Sequence, residues 1–434
     1  MPEIIHNTNT FENSKTTRGS KDIPMQNALI FSPSLDGHRQ VYVFVISKIL
    51  EELGFNITVA SNMQEKIFNS FYIDKLKSNH KITIVDTSKY KEGGSKISLS
   101  EFINLQTISQ ANLTIFTEAD DHIPLLTLQI FKRKGKLKGQ VVGIFMRPFY
   151  YYRKSNLLNK LRFLKHFSSR WNTDRELFFE FFLKRFSLLD IAFSLDENFV
   201  SNHSNFKWLP DVFQQYAEVI IKPDEKSVQR LWIEKLKLFQ EKNKTRFSFF
   251  YFGTAQFRRG YDVLLKLAEE TGGCFIHCGL RDNDANFFYE TSEIISRLKN
   301  EDRFFETNEY IEDPLCIEYF FRSVSHLVLP YRDFLGSSGV MLQALEYGIP
   351  ILAPDTGIMG HRIKKYNLGI TYSDSDINSL ETQLKRFKGM NPKSFEKDIE
   401  SYMNVQSTEQ LKIVLAQSFV SENKTLSQPR LQEA

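Results

Sequence analysis

Short apolar runs separated by polar, glycine-punctuated stretches recur along this chain, and their spacing predicts alternating strands and helices. The first run, residues 27–31, reads as a strand. The next segment carries Val41, Val45, Ile49 and Leu53 at four-residue steps, which predicts a helix with one buried face. Gly54 stops that helix, and residues 56–60 form a second strand. A β-α-β unit of this kind is how doubly wound folds begin. Further strands are predicted at 82–85, 113–116 and 141–145, with a strand end at 191–194. Trp208-Leu209-Pro210-Asp211 reads as a turn, and the passage between two domains is placed near it. The pattern then starts afresh. An aromatic strand at 247–252 leads into a loop from Gly253 to Gly260 and a helix carrying Leu264, Leu265 and Ala268. Strands at 275–278, 325–329 and 351–354 follow.

The most informative stretch is 327–360, which reads as strand, Gly/Ser loop, helix, turn, strand and glycine loop. Pro330 closes an apolar run, and Ser337, Ser338 and Gly339 suit the start of a helix whose first turn includes Val340. Gly348 suits the left-handed position that ends the helix, and Pro350 follows where a helix cannot continue. Such a unit puts backbone N–H groups and a positive dipole end at a strand's carboxyl edge, where a phosphate or diphosphate binds.

This stretch resembles the nucleotide-sugar half of a glycosyltransferase family 4 (group 1) enzyme. In that family the helix carries a Glu-Ala-x-x-x-Gly-x-Pro run, matched here by Gln343-Ala344-Leu345-Glu346-Tyr347-Gly348-Ile349-Pro350. The family's glutamate, which grips the ribose hydroxyls, falls at Gln343, and its usual partner falls at Leu335. Gln343 can hydrogen-bond a diol, but without charge assistance. A Gly-Arg-x(4)-Lys-Gly loop of the family is matched by Gly253 and, at its far end, Arg259-Gly260. Thr254 stands at the first cation's place, and Arg258 is the candidate to supply that charge. A cation at a helix start opposes the dipole, which favours a functional reading of the Arg-Arg pair.

The resemblance covers residues 27–390 and is strongest over 249–369. It implies an α/β chain of GT-B architecture, two Rossmann-like doubly wound domains facing a central cleft. The division expected is a polar tail at 1–24, an acceptor domain at 25–212, a nucleotide-sugar domain at 213–390, and C-terminal helices at 391–434 that pack back on the first domain. The implied activity is a metal-independent, retaining transfer of a hexosyl group from a nucleotide sugar, UDP- or GDP-linked, to an acceptor hydroxyl in glycan or polysaccharide synthesis. No other cofactor is implied. Two alternatives stand beside it: a non-catalytic subunit of the same fold supporting a partner transferase, motivated by Leu335, Gln343 and Thr254, and a different GT-B enzyme such as a sugar-nucleotide epimerase.

On the acceptor side the candidates follow strand ends. Gly37 lets backbone approach a ligand and His38 sits at a helix start. Glu118, Asp121 and His122 follow the strand at 113–116, where they could orient an acceptor hydroxyl or relay a proton, with His122 the catalytic candidate beside Arg259. Arg147 follows the strand ending at Met146. Asp355 and the glycines after it would close the donor site. Asp374-Ser375-Asp376 matches an Asp-x-Asp metal string, but its place before a helical segment reads as capping, so no metal site is expected.

Composition changes the picture little. The net charge of +4 over 434 residues is too mild to imply nucleic acid. Three cysteines have neither disulfide nor zinc spacing and fit a reducing cytosol. The polar start lacks the apolar core of a signal peptide, and no apolar run approaches the roughly 20 residues needed to span a bilayer. Segment 147–186 stands out, with ten Lys/Arg against three Asp/Glu and twelve aromatics. Its composition fits an anionic membrane surface, or an insertion packed on the first domain. The expected location is cytoplasmic and peripheral to the inner face of the membrane, with a sugar, lipid-linked or glycan acceptor.

Overall fold

A computed structural model describes residues 26–35, 38–62, 71–88, 99–120, 139–146, 189–211, 228–281, 285–311, 313–373 and 377–423. The chain divides into two compact units, one from Met1–Gln214 with Ser407–Ala434, the other from Gln215–Gln406.

The first unit is built on β1 (Gln26–Ser32), β2 (Phe55–Ser61), β3 (Ile82–Asp86), β4 (Leu113–Phe116), β5 (Gln140–Phe145), β6 (Ile191–Ser194) and β7 (Lys207–Trp208). Its described helices in this part of the chain are α1 (His38–Glu52), α2 (Phe71–Lys77), α3 (Leu99–Ile108) and α4 (Glu197–Ser201). Every strand pair is parallel, in the order β3-β2-β1-β4-β5-β6-β7. The sheet thus grows one way from β1 to β3, then crosses back and grows the other way from β4. Parallel strands are covered on both faces, which is why the runs read as continuously apolar. Part of the phenylalanine excess fills this core. Phe31 meets Phe102 edge-on at 5.0 Å, and Phe102 stacks on Phe116 at 4.9 Å. Such pairs add to the area they bury.

The second unit carries β8 (Ser248–Phe252), β9 (Cys274–Cys278), β10 (Phe304–Glu306), β11 (Leu327–Val328), β12 (Ile351–Pro354) and β13 (Gly369–Tyr372). Its helices are α5 (Leu231–Lys242), α6 (Tyr261–Glu270), α7 (Ala285–Asn300), α8 (Pro314–Arg322), α9 (Gly339–Glu346), α10 (Gly357–Tyr366), α11 (Ile377–Lys388) and α12 (Glu396–Val405). Two three-stranded parallel sheets, β10-β9-β8 and β11-β12-β13, lie with β8 and β11 as neighbours. The winding of the first unit is repeated, with its reversal between β8 and β11. Helix α12 packs on α9 and α10 within this unit. The last helix, α13 (Thr408–Asn423), belongs to the first unit, where Lys412 reaches Glu52 of α1 at 2.5 Å.

The α/β class and the parallel winding agree with the alternation of runs in the sequence. β10 and β13 were not anticipated: β10 is too short to show a period of its own, and β13, Gly-Ile-Thr-Tyr, is not a continuous apolar run. β11 is also shorter than the predicted 325–329: Ser325 and His326 precede the ladder, and His326 turns to Ser325 and the Met390 carbonyl. Asp374-Ser375-Asp376 and the segment 147–186 lie outside the described residues. The three cysteines are buried and free, and burial pushes the Cys316 thiol up to about 12.

Asp313 fixes the start of α8. Its carboxylate accepts from the Leu315 N–H at 3.0 Å, Pro314 opens the helix, and Arg230 stands 3.4 Å away. Asp313→Ala is expected to cost about 1–2 kcal/mol of the second unit's stability, read as a lower urea midpoint in far-ultraviolet circular dichroism.

Candidate functional site

In doubly wound sheets a ligand site forms at the carboxyl edge where the strand order reverses. In the second unit that place lies between the loops that follow β8 and β11. The first of these loops runs from Gly253 through a tight turn, Phe257–Arg259, to Gly260 at the head of α6. Gly260 has φ of 70°, and a Cβ there would stand 2.2 Å from the Pro330 carbonyl oxygen. Only glycine lets this loop lie against the end of β11. The contact is then fastened. The Arg332 N–H donates to the Arg258 carbonyl at 2.9 Å. The Arg332 guanidinium donates to both oxygens of Asp262 at 2.8 and 2.6 Å and stands 3.9 Å over the Phe257 ring.

Inside the loop, the Tyr251 hydroxyl donates to the Thr254 carbonyl at 2.8 Å and accepts from the Gln256 N–H at 3.1 Å. Burial pushes this phenol above its usual range, against the pull of Arg259, so it keeps the proton it donates. Arg259 is half-buried, and its Nη1 would lie 2.9 Å from a Cβ on Gly253. No hydrogen-bond or carboxylate partner holds its guanidinium among the described residues, and the same holds for the exposed Arg258 side chain. Arg281, on the same edge, is the opposite case. It grips Glu306 with two nitrogens. Burial works to raise the Glu306 carboxyl, but the neighbouring His277 and Arg281 hold it down to about 2.

The loop after β11 starts α9 as the sequence predicts. The Ser338 Oγ accepts from the Met341 N–H at 3.2 Å. Ser337 accepts from Arg362 Nη1 at 3.0 Å, and Arg362 is fully buried. The first-turn N–H groups of Gly339 and Val340 have no partner among the described residues. Gln343, one turn on, is buried, and its Nε2 has no hydrogen-bond partner. Glu346, which follows Gln343 by three residues, faces Glu318 and Arg322 of α8 rather than the start of its own helix.

Gly253, Arg258, Arg259, Gly260, Ser337, Ser338, Gly339 and Val340 are thus gathered on one edge of the second unit, with Gln343 on the helix that starts there. The acceptor-side candidates fare differently. Gly37, Asp121, His122 and Arg147 lie outside the described residues, and His38 opens α1 with its side chain likewise outside them. Glu118 must be corrected. It is 1% exposed and receives Arg39 through Nε and Nη2, while Arg39 Nη1 donates to Ser34 at 2.8 Å. A buried carboxylate clamped by a guanidinium is not free to take a substrate proton, so Glu118 pins the β1 and β4 ends together instead.

Solved structures with this arrangement span nearly the whole chain. Sucrose-phosphate synthase from Thermosynechococcus elongatus superposes with a TM-score of 0.62 at 10% identity, covering 92% of this chain and 100% of that one. The Anabaena protein HepE, in complex with UDP and glucose, gives 0.60 at 12% identity, covering 91% and 100%. WaaG, a glycosyltransferase involved in lipopolysaccharide biosynthesis, gives 0.57 at 13%, covering 90% and 98%. The chain has the GT-B fold. No protein-family model matches the sequence, and no curated protein does.

Sequence reasoning about this GT-B chain missed three residues of the site: Arg332, Arg362 and His277. Each acts through a partner distant in sequence, so no local spacing marks it. His277 was passed over because it sits within an apolar run and reads as buried strand.

Glu346 generates a stability prediction. Burial raises its carboxyl to about 8, Glu318 adds to the shift and Arg322 opposes it. With the folded value above the unfolded one, the folded chain binds the extra proton. Stability is then full below the usual carboxylate range and is lost as pH rises towards about 8. Glu346→Gln is expected to match wild type near pH 5 and to be more stable by about 3 kcal/mol at pH 8.5, measured as urea midpoints across that range.

Proposed function

We propose that this chain transfers a sugar from a nucleoside diphosphate sugar to an acceptor hydroxyl. One observation carries it: Arg259, half-buried at the β8–β11 reversal, has no hydrogen-bond or carboxylate partner for its guanidinium among the described residues. An arginine in that state is free to take an anion, and its planar fork matches a phosphate. The unpartnered N–H groups of Gly339 and Val340 add a helix N-terminus of the same preference. The GT-B fold supports the assignment, as does UDP in the similar HepE complexes.

The chemistry follows from charge. Breaking the bond between sugar and diphosphate leaves negative charge on the leaving oxygens. Arg259 and the start of α9 would stabilise that charge as it develops, without a metal ion in the role. An acceptor attacking from the same face then retains the anomeric configuration. Gln343 lies one turn inside the start of α9, and because its Nε2 is shut away from water it would meet the ribose only after its side chain turns outward. The acceptor would be a sugar, glycan or lipid-linked glycan. A second reading, a non-catalytic GT-B subunit, is favoured by Leu335 and Gln343, since neither offers the donor a carboxylate.

Calorimetry and thermal shift with UDP, GDP and ADP test this on wild type and Arg259→Ala. One nucleotide is expected to raise the melting temperature of wild type. Its affinity should fall about 10- to 100-fold in the variant, the loss of one charge-assisted pair. The melting temperature without ligand should be unchanged, because Arg259 holds nothing in the protein. No shift with any nucleotide would favour the non-catalytic subunit.

A further inference from the structure

His277 lies in the middle of β9 and is fully buried. A polar ring at such a place is costly unless its nitrogens are satisfied. Its Nε2 is 3.0 Å from the Gly253 carbonyl oxygen, and a carbonyl only accepts, so Nε2 carries the hydrogen. Its Nδ1 faces Glu306 Oε1 at 3.4 Å, and Glu306 is held in turn by Arg281. The rings of Tyr251 and Tyr261 meet the imidazole edge-on, with centroids at 5.5 and 5.1 Å. The ring is therefore fixed on every side.

What it fixes is the first residue of the loop that carries Arg259. The Gly253 N–H donates to the Cys278 carbonyl at 2.9 Å, and the Gly253 carbonyl is taken by His277. That carbonyl is also hemmed by Gly279, where a Cβ would stand 2.2 Å away. Gly253 has φ of +102° and lies directly beneath the Arg259 guanidinium. Tyr251 and Arg332 hold the rest of the loop, at Thr254, Gln256, Phe257 and Arg258. His277 is the side chain that ties the Gly253 carbonyl to the interior of the sheet, beside the ties made by the Cys278 carbonyl and Tyr251.

We infer that His277 is a positioning residue, which through the Gly253 peptide holds Arg259 in place for the donor diphosphate. The inference rests on Arg259 being the phosphate ligand. Pre-organisation of this kind matters because a cation that must first be ordered binds its anion more weakly.

Two variants separate positioning from bulk. His277→Phe keeps the ring volume and removes the donor, whereas His277→Gln places an amide N–H where Nε2 stood. Hydrogen exchange on the full chain reads the loop directly, through the peptide amides of Gly253, Ala255, Gln256, Arg259 and Gly260, all hydrogen-bonded in the structure. His277→Phe is expected to speed their exchange about tenfold or more, the effect of one lost bond to a buried acceptor, while α6 beyond its first turn exchanges as in wild type. His277→Gln should restore most of the protection. UDP affinity by calorimetry should fall about tenfold in His277→Phe, and Arg259→Ala added to that variant should cost less than it does in wild type, since the two act as a unit. Unchanged loop exchange in His277→Phe would overturn the inference, as would equal loosening of loop and helix in both variants. If wild type binds none of UDP, GDP and ADP, the donor assignment fails instead, and the exchange experiment still decides whether His277 holds the loop.

Discussion

The candidate site depends on one close approach, that of Gly260 to the carbonyl of Pro330. β8 and β11 are neighbours without forming one ladder, so no regular row of hydrogen bonds joins the two halves of the second unit. A shared apolar core, with Phe249 and Phe275 in one cluster with Val328 and Leu352, joins the halves, and the loops beyond the strand ends add the polar links. Because residue 260 has no side chain, the loop after β8 can press onto the end of β11 and be closed by the Arg332 N–H and guanidinium. A methyl group here would meet backbone, which cannot yield as a flexible side chain can. The same approach brings the Arg259 loop beside the loop that starts α9, and so gathers donors from two elements on one edge.

The arginines of the chain sort into two kinds by what completes them. Arg39 is completed by Glu118, Arg281 by Glu306 and Arg332 by Asp262. These are clamps: Arg39 and Arg332 join segments that no ladder joins, and Arg281 reinforces the β9–β10 pair at its carboxyl end. Among the described residues Arg258 and Arg259 have no such completion, although Asp262, the carboxylate that Arg332 holds, follows within a few positions. Tight pairs hold the loop so that its unpaired members face outward. A buried ion pair is weak evidence for stability in itself, but here the pairs specify geometry.

Much of this was legible in the sequence, and the rest was hidden for identifiable reasons. The β-α-β start, the helix from Val41 to Leu53 and the turn at Gly348-Ile349-Pro350 follow from local rules of periodicity and backbone freedom. So did the placing of Ser338 at the head of α9, since capping is decided within a few residues. The role of Glu118 was not legible. A carboxylate after a strand end looks the same in sequence whether it meets substrate or an arginine 79 positions away. His277 was hidden for the converse reason, because its surroundings are apolar and its polar partners come from other strands. Strand β10 is too short for any pattern, and only its ladder with β9 defines it.

Gln343 shows what the departures from the family's pattern amount to. Its amide nitrogen is shut away from water with nothing to donate to, a state that costs about 1–3 kcal/mol. An apolar residue of the same size would avoid that cost, so the amide has its use in a state where an acceptor is present. The first-turn N–H groups of α9 and the Arg259 guanidinium share this condition. All are donors, and the nearby carboxylates are engaged elsewhere, Asp262 with Arg332 and Asp355 with Lys364. A site composed of unsatisfied donors selects a ligand rich in acceptors. Diphosphate oxygens and ribose hydroxyl oxygens are such acceptors, and they occur together in a nucleoside diphosphate. Leu335 and Gln343 carry no carboxylate, so they set no acceptor of their own against the donors at this edge.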